Sequence, residues 1–344
     1  MIIGITGYGY SGASAYTQVL KEFEGIQSYS GDTEFQIVQE PDGLLDLMYG
    51  IVKSRRRLHC NAAIHRFIRC VNGPSCAHLT KMTKGALQDI SRNYINDLVK
   101  LTWDGRSNYD PEDVRHWLDR KSFFRMSLMI RTLINKLHLQ LEWPPSQKRY
   151  FSFVDEEVFL ARTRQFVDDL LTASGIDPEG NTILEQVFNC TDPLSGSEFF
   201  DHDLVSMVVE RDPRDIFILT NVVNPHASRF MPNKRKIEPF IEYYKLLHYN
   251  HVEDPRVKYL QYEDLIYQYH KTIQLLEEAT GRKHIAPKSI FKPEISINNT
   301  QLYKKFPQFS KEIQAIERQL EEYLYDFDSA AKGIDFQPVE SRIF

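Results

Sequence analysis

Met1-Ile2-Ile3-Gly4-Ile5-Thr6-Gly7-Tyr8-Gly9-Tyr10-Ser11-Gly12-Ala13-Ser14 opens the chain. Residues 1–6 read as a short buried strand, 7–12 as a loop and 13–24 as a helix, so the first unit is strand–loop–helix. The loop has the GxxxxG-x-[ST] frame of a phosphate-binding loop. Its glycines let successive N–H groups turn inward, and the following helix adds the positive end of its dipole. Ser14 offers a hydroxyl on the first helical turn. Ala13 stands where a nucleoside triphosphatase carries lysine, which disfavours an ATP or GTP hydrolase. The overlapping G-x-G-x-x-G lacks a convincing acidic partner about 20 residues on, as a dinucleotide fold requires. A tight turn that binds no ligand is the plainer alternative.

Working outward, helical patterns fall at 42–54, 62–71, 87–101 and 111–139, and the breaker Trp143-Pro144-Pro145 ends them. Strands return at 150–154, 182–188, 204–209 and 257–261. Helices lie between and after them at 156–173, from Pro213, and at 238–249, 263–280 and 310–325. Alternating strands and helices predict an α/β fold with a P-loop-type central parallel sheet flanked by helices. In such sheets ligands bind at the carboxyl ends of the strands. The helical stretch over about 42–145 is expected as an insertion that caps that edge within a single domain spanning 1–344.

The 344 residues carry a formal charge of −5, which argues against a general nucleic-acid binder. No window approaches a membrane span, and the N-terminus has no basic, apolar leader, so a cytoplasmic protein is expected. Cys60, Cys70, Cys76 and Cys190 form no CxxC pair. His59, His65 and His78 lie nearby, as a zinc site would need, but the spacings match no common module, and reduced structural thiols with no metal are expected.

A second signal is Val208-Val209-Glu210-Arg211-Asp212-Pro213-Arg214-Asp215. An apolar strand ends in arginine and a proline-started helix follows. A guanidinium at a strand's carboxyl end suits a phosphate through bidentate contact. The competing reading is a surface ion-pair cluster of Arg211 or Arg214 with Asp212 or Asp215.

A Ser-Gly-x-[ST] loop after the first strand, combined with strand–RDPRD–helix, resembles the sulfotransferases that use 3′-phosphoadenosine 5′-phosphosulfate. Further similar stretches are Tyr259-Leu260-Gln261-Tyr262-Glu263-Asp264-Leu265, 291–299 and Thr182-Ile183-Leu184-Glu185-Gln186; bacterial relatives with the last are linked to surface polysaccharides. The resemblance implies that Gly9, Tyr10, Ser11, Gly12, Ala13 and Ser14 meet the 5′ end of the nucleotide. It implies that Arg211 meets the 3′-phosphate, with Thr220, Asn299 and Lys304 adding contacts. It further implies a sulfuryl transfer to a hydroxyl of a carbohydrate or glycolipid acceptor, without a metal.

Two positions depart from the family: Tyr10 replaces the usual Lys or Arg, and Leu219 the usual serine, leaving Thr220 as the nearest hydroxyl. Arg55, Arg56 and Arg57 are a candidate substitute cation, or a solvated basic turn. Glu185 is the first candidate base and Asp192, which could equally cap a turn, the second. His202 and His226 are lone loop histidines, expected at surface or satisfied positions. Trp103, Trp117 and Trp143 could stack on sugar rings or simply pack. Two other functions stay open: a non-catalytic relative that binds the nucleotide, and an ATP-dependent kinase.

Overall fold

In the computed structural model, residues 1–29, 34–105, 120–141, 143, 146–223, 232 and 236–340 are described. Trp117, Pro144, Pro145 and His226 lie outside them. Strands form at Ile2–Gly7 (β1), Ile26–Gln27 (β2), Leu101–Gly105 (β3), Gln147–Phe151 (β4), Asn181–Glu185 (β5), Leu204–Glu210 (β6) and Val257–Gln261 (β7). Two compact units are distinguished by their internal contacts.

The first unit holds residues 1–36, 176–197 and 202–344. Its sheet has five strands in the order β2-β5-β1-β6-β7, and every pair is parallel. Ile2, Ile3 and Ile5 are fully buried, as a central strand covered on both faces requires. The Ala13–Leu20 helix lays Tyr16, Val19 and Leu20 against Ile3, Ile5 and Met207. A second cluster joins the helices Pro213–Ile218, Glu238–Leu247 and Ser310–Gln319 through Ile216, Phe240, Tyr244 and Ile316. Glu22, just past the first helix, is buried, and its carboxylate accepts from His284 Nε2 at 2.7 Å and from the Ile290 and Phe291 amides at 2.6 and 2.9 Å. That one side chain holds the segment leading into residues 292–300.

The strand order decides where a ligand could sit. The chain leaves β1 toward β2 on one side and leaves β6 toward β7 on the other. Neighbouring strands whose connections diverge open a crevice at their carboxyl ends, the topological switch point. Here that switch point lies between Gly7 and Glu210, where β1 and β6 end.

The second unit holds residues 37–175 and 198–201. It shares most residues with the insertion expected over about 42–145, and it also contains the Glu156–Ala173 helix. Phe67, Tyr94, Phe159, Phe166 and Phe199 form an aromatic core, in which Tyr94 and Phe166 stack at 4.5 Å. The strand expected at 150–154 is not in the parallel sheet. It is β4, shifted toward the N-terminus and paired antiparallel with β3, which sequence reading had placed partly in a helix. Leu98 ends that helix, and its carbonyl accepts from the buried Ser152 hydroxyl at 2.5 Å. The four cysteines are free thiols, with Cys70 and Cys76 Sγ atoms 3.7 Å apart.

Candidate site at the switch point

The glycine loop is built by backbone conformation. Gly9, Tyr10 and Gly12 have φ of +83°, +58° and +89°. Left-handed residues at these places curl the chain back so that it enters the Ala13–Leu20 helix from above β1. Gly12 has no side chain to cap that helix, and the first turn contains no acidic residue. The Ala15 amide donates to the Gly12 carbonyl at 3.0 Å, and the Ala13 and Ser14 amides ahead of it are the ones placed to bind an anion. Ser11 is buried, with its hydroxyl against the Gly7 Cα, where a Cβ would fall 2.0 Å from Oγ. Ser14 is exposed on the first turn.

Gly12 faces an aromatic ring from the far end of the sheet. A Cβ there would stand 2.3 Å from Tyr262 Cδ2. Tyr262 follows β7, and its amide donates to the Glu210 carbonyl at 2.9 Å. The Arg211 guanidinium lies 4.4 Å from the ring centroid. Arg211 Nη1 donates to the Tyr10 carbonyl at 3.2 Å, and Nη2 donates to the Asn299 carbonyl. Thus the glycine loop, the RDPRD segment, the Tyr262 strand end and the 291–299 stretch meet around one guanidinium.

That guanidinium is not at the surface. Arg211 is 1% exposed, and its Nε has no hydrogen-bond partner among the described residues. Asp212, Asp215 and Glu263 are equally buried. The competing reading put an ion-pair cluster at the surface; the cluster that forms is an interior one. Arg214 grips Asp212 with a fork, Nε to Oδ1 at 3.0 Å and Nη2 to Oδ2 at 2.7 Å. Asp212 Oδ2 also accepts from the Tyr325 amide at 3.1 Å, and Glu263 Oε1 accepts from the Asp212 amide at 3.1 Å. Burial pushes Asp215 up to about 7 and Glu263 up to about 8, against the opposing charge of Arg211.

The other sequence-derived residues fall in several places. Glu185 ends β5 level with Ile5 and is half-buried, on the opposite side of β1 from Glu210. Asp192 is exposed in a turn, but the capping side chain is Asn189, whose Oδ1 accepts from the Thr191 amide and hydroxyl at 2.9 and 2.8 Å. Thr220 is fully buried, and its hydroxyl donates to the Ile216 and Phe217 carbonyls at 3.0 and 3.1 Å. Lys304 is exposed and bonded to Gln301 Oε1, while Lys305 Nζ donates to the Asn298 carbonyl at 2.9 Å. His202 precedes β6, at the end of the sheet away from the crevice. Arg55 pairs with Asp155 at 2.9 Å and Arg56 donates to Ser54 Oγ at 3.1 Å, both within the second unit. There Trp143 Nε1 donates to Ser127 Oγ at 3.0 Å, and Trp103 lies on β3.

Sequence reading missed a cleft beside the loop. A cavity of about 300 Å³ opens at the carboxyl ends of β6 and β7, lined by Glu210, Tyr244, His251, Gln261, Tyr323 and Tyr325 among others. Glu210 Oε1 lies 3.3 Å from His251 Nε2, and Oε2 accepts from Gln261 Nε2 at 3.1 Å. Burial raises the Glu210 carboxyl above the ordinary range, and His251 opposes that shift. His251 stacks on Tyr259 at 3.8 Å. His248 is stacked between Tyr8 and Tyr244 at 3.9 and 4.1 Å, and burial lowers it to about 4. It is therefore neutral, and Nδ1 donates to the Tyr244 carbonyl at 2.8 Å, since a carbonyl can only accept. Glutamate as the last residue of an apolar strand was the one signal for this cleft in the sequence.

No family model, curated protein or solved structure matches this chain.

Proposed function

We propose that the chain is a sulfotransferase that binds a 3′-phosphorylated adenine nucleotide in a P-loop-type crevice between β1 and β6 and sulfates a carbohydrate hydroxyl. The observation that carries this reading is the loop 9–12, left-handed at Gly9, Tyr10 and Gly12, leading without a side-chain cap into a helix N-terminus at the switch point. Turned-in N–H groups and a helix dipole fit a phosphate or phosphosulfate. The family resemblance supplies the choice of nucleotide.

The bound nucleotide supplies an activated sulfuryl group. The chain's work is then positioning and charge neutralisation. With Tyr10 in place of a cation, the loop amides, the Ser14 hydroxyl and the helix dipole meet the charge of the leaving oxygen. The acceptor oxygen forms its bond to sulfur as the bond to the nucleotide phosphate breaks, and its proton passes to a carboxylate. Glu185 and Glu210 end the strands on either side of β1 and are the two candidate bases. Glu210 borders the aromatic cleft, and its raised carboxyl is nearer to the pKa that proton transfer at neutral pH favours. Arg211 serves first as a clasp on Tyr10 and Asn299, and its Nε is the atom left for a phosphate.

A second reading keeps the nucleotide and drops the transfer. The uncharged Tyr10 and an Arg211 already engaged on two carbonyls favour it. Thermal-shift titration separates these readings from a kinase: adenosine 3′,5′-bisphosphate should raise Tm, and ATP–magnesium should not. Labelled-sulfate transfer to a polysaccharide then separates enzyme from binder. Ser14→Asp tests the loop without harming the fold. An acid on the first turn complements the dipole by about 0.3–1 kcal/mol, so Tm of the free protein should hold or rise. Bisphosphate affinity should fall at least about tenfold through charge repulsion. Undiminished affinity in that variant would remove the nucleotide from this loop.

A further inference from the structure

The Arg120–Lys136 helix of the second unit carries a patch that the nucleotide reading does not use. Ser127 is fully buried on one side of it. On the other, Leu128, Met129 and Leu133 are exposed, Met129 by 73%, and the exposure continues through Leu137, Leu139 and Leu141. An apolar groove of about 520 Å³ runs along Leu128, Met129, Ile130, Thr132, Leu133 and Lys136. Met126, Met129, Leu133 and Leu137 recur at helical spacing as one apolar stripe. Lys121, Arg125 and Lys136 follow the same periodicity on its border, and all three are exposed.

Charge decides what could cover this stripe. Residues 120–141 contain five Lys and Arg and no Asp or Glu, in a chain whose net charge is −5. A second copy of the same face would bring like charges together. An anionic surface answers both features, taking the leucines and methionines into its acyl boundary and the basic side chains at its headgroups. Among the described residues no helix is long and apolar enough to cross a membrane. We infer that the Arg120–Lys136 helix docks in the plane of an anionic lipid surface.

This inference does not rest on the nucleotide reading. The full chain is sedimented with vesicles of phosphatidylcholine, with and without phosphatidylglycerol. It should sediment with the anionic vesicles and be released by added salt. The double variant Met129→Glu, Leu133→Glu changes only exposed side chains, so its Tm should match the parent while vesicle binding falls at least about tenfold. Lys121→Gln, Arg125→Gln and Lys136→Gln together should weaken binding about a hundredfold at low salt, at roughly fivefold for each charge. Bisphosphate titration of both variants should be unchanged. Absence from anionic vesicles, equal sedimentation with neutral ones, or a double-Glu variant that binds like the parent would overturn the inference. So would light scattering that shows a dimer dissolved by Leu133→Glu while vesicles stay unbound.

Discussion

Gly9 and Gly12 share a left-handed backbone and differ in what surrounds them. A Cβ on Gly9 meets no heavy atom within 4 Å, whereas one on Gly12 runs into the Tyr262 ring. Gly9→Ala should cost about 1–2 kcal/mol, the price of placing an L-residue in that region. Gly12→Ala adds the displacement of a ring that carries Arg211, so its cost should exceed about 3 kcal/mol. Urea unfolding measures both, and a cycle with Tyr262→Ala isolates the clash. In the Tyr262→Ala background, Gly12→Ala should fall to the cost of Gly9→Ala. A cost that stays high would mean the backbone, and not the ring, sets the requirement. Tyr10 adopts positive φ without being glycine, and its carbonyl is one that Arg211 holds. The need for glycine was legible in the spacing of residues 7–12. The ring that fills the space beside Gly12 comes from a strand end 250 positions away, which no local pattern announces.

Among elements, Arg211 acts as a clasp between the glycine loop and residues 297–299. Truncation to Arg211→Ala strands the Tyr10 and Asn299 carbonyls and leaves Asp215 and Glu263 beside a lost counter-charge. Breaking a buried charged set of this kind costs about 3–5 kcal/mol. Hydrogen exchange should quicken most in residues 8–12 and 292–300, with the sheet interior little changed. Arg211→Lys keeps the charge but cannot fork to two carbonyls, so its loss should be intermediate. Uniform loss of protection across the sheet would deny the clasp a local role. The parallel strands were legible because β1, β5, β6 and β7 are apolar runs with turn signals at their ends. β3 escaped because its five residues are mostly exposed and carry no buried pattern to find. β4 was found, but its antiparallel partner lies some 45 residues earlier, and alternation with helices wrongly argued for the main sheet. A surface ion-pair cluster competed as the reading of Arg211 and Asp212 because sequence marks polarity and leaves burial to segments that arrive from elsewhere.

At the level of the whole molecule, the buried carboxyls set how stability responds to pH. Asp215 and Glu263 rise from 3.8 and 4.5 to about 7 and about 8, with burial as the main cause. The fold therefore favours their protonated forms. Their contribution is complete below the unfolded values and is lost as pH climbs through the folded ones. Carboxylates paired near the surface act in the other direction: Asp254 is lowered to about 2 by Arg256, but both side chains reach solvent, where screening leaves such pairs little weight. The buried pair should dominate, so Tm should fall between about pH 5 and about pH 8 at fixed ionic strength. Glu263→Gln keeps the shape and removes the ionisation, which should flatten that fall, whereas Asp254→Asn should leave its slope alone. Scanning calorimetry of the three proteins across this range decides the matter. A parent whose Tm climbs from pH 5 to 8, with Glu263→Gln following the same curve, would mean that Arg211 keeps both carboxyls ionised. The cluster would then be a charge-balanced strut, and the loop and the RDPRD segment would be joined across ionised carboxylates instead of neutral carboxyls.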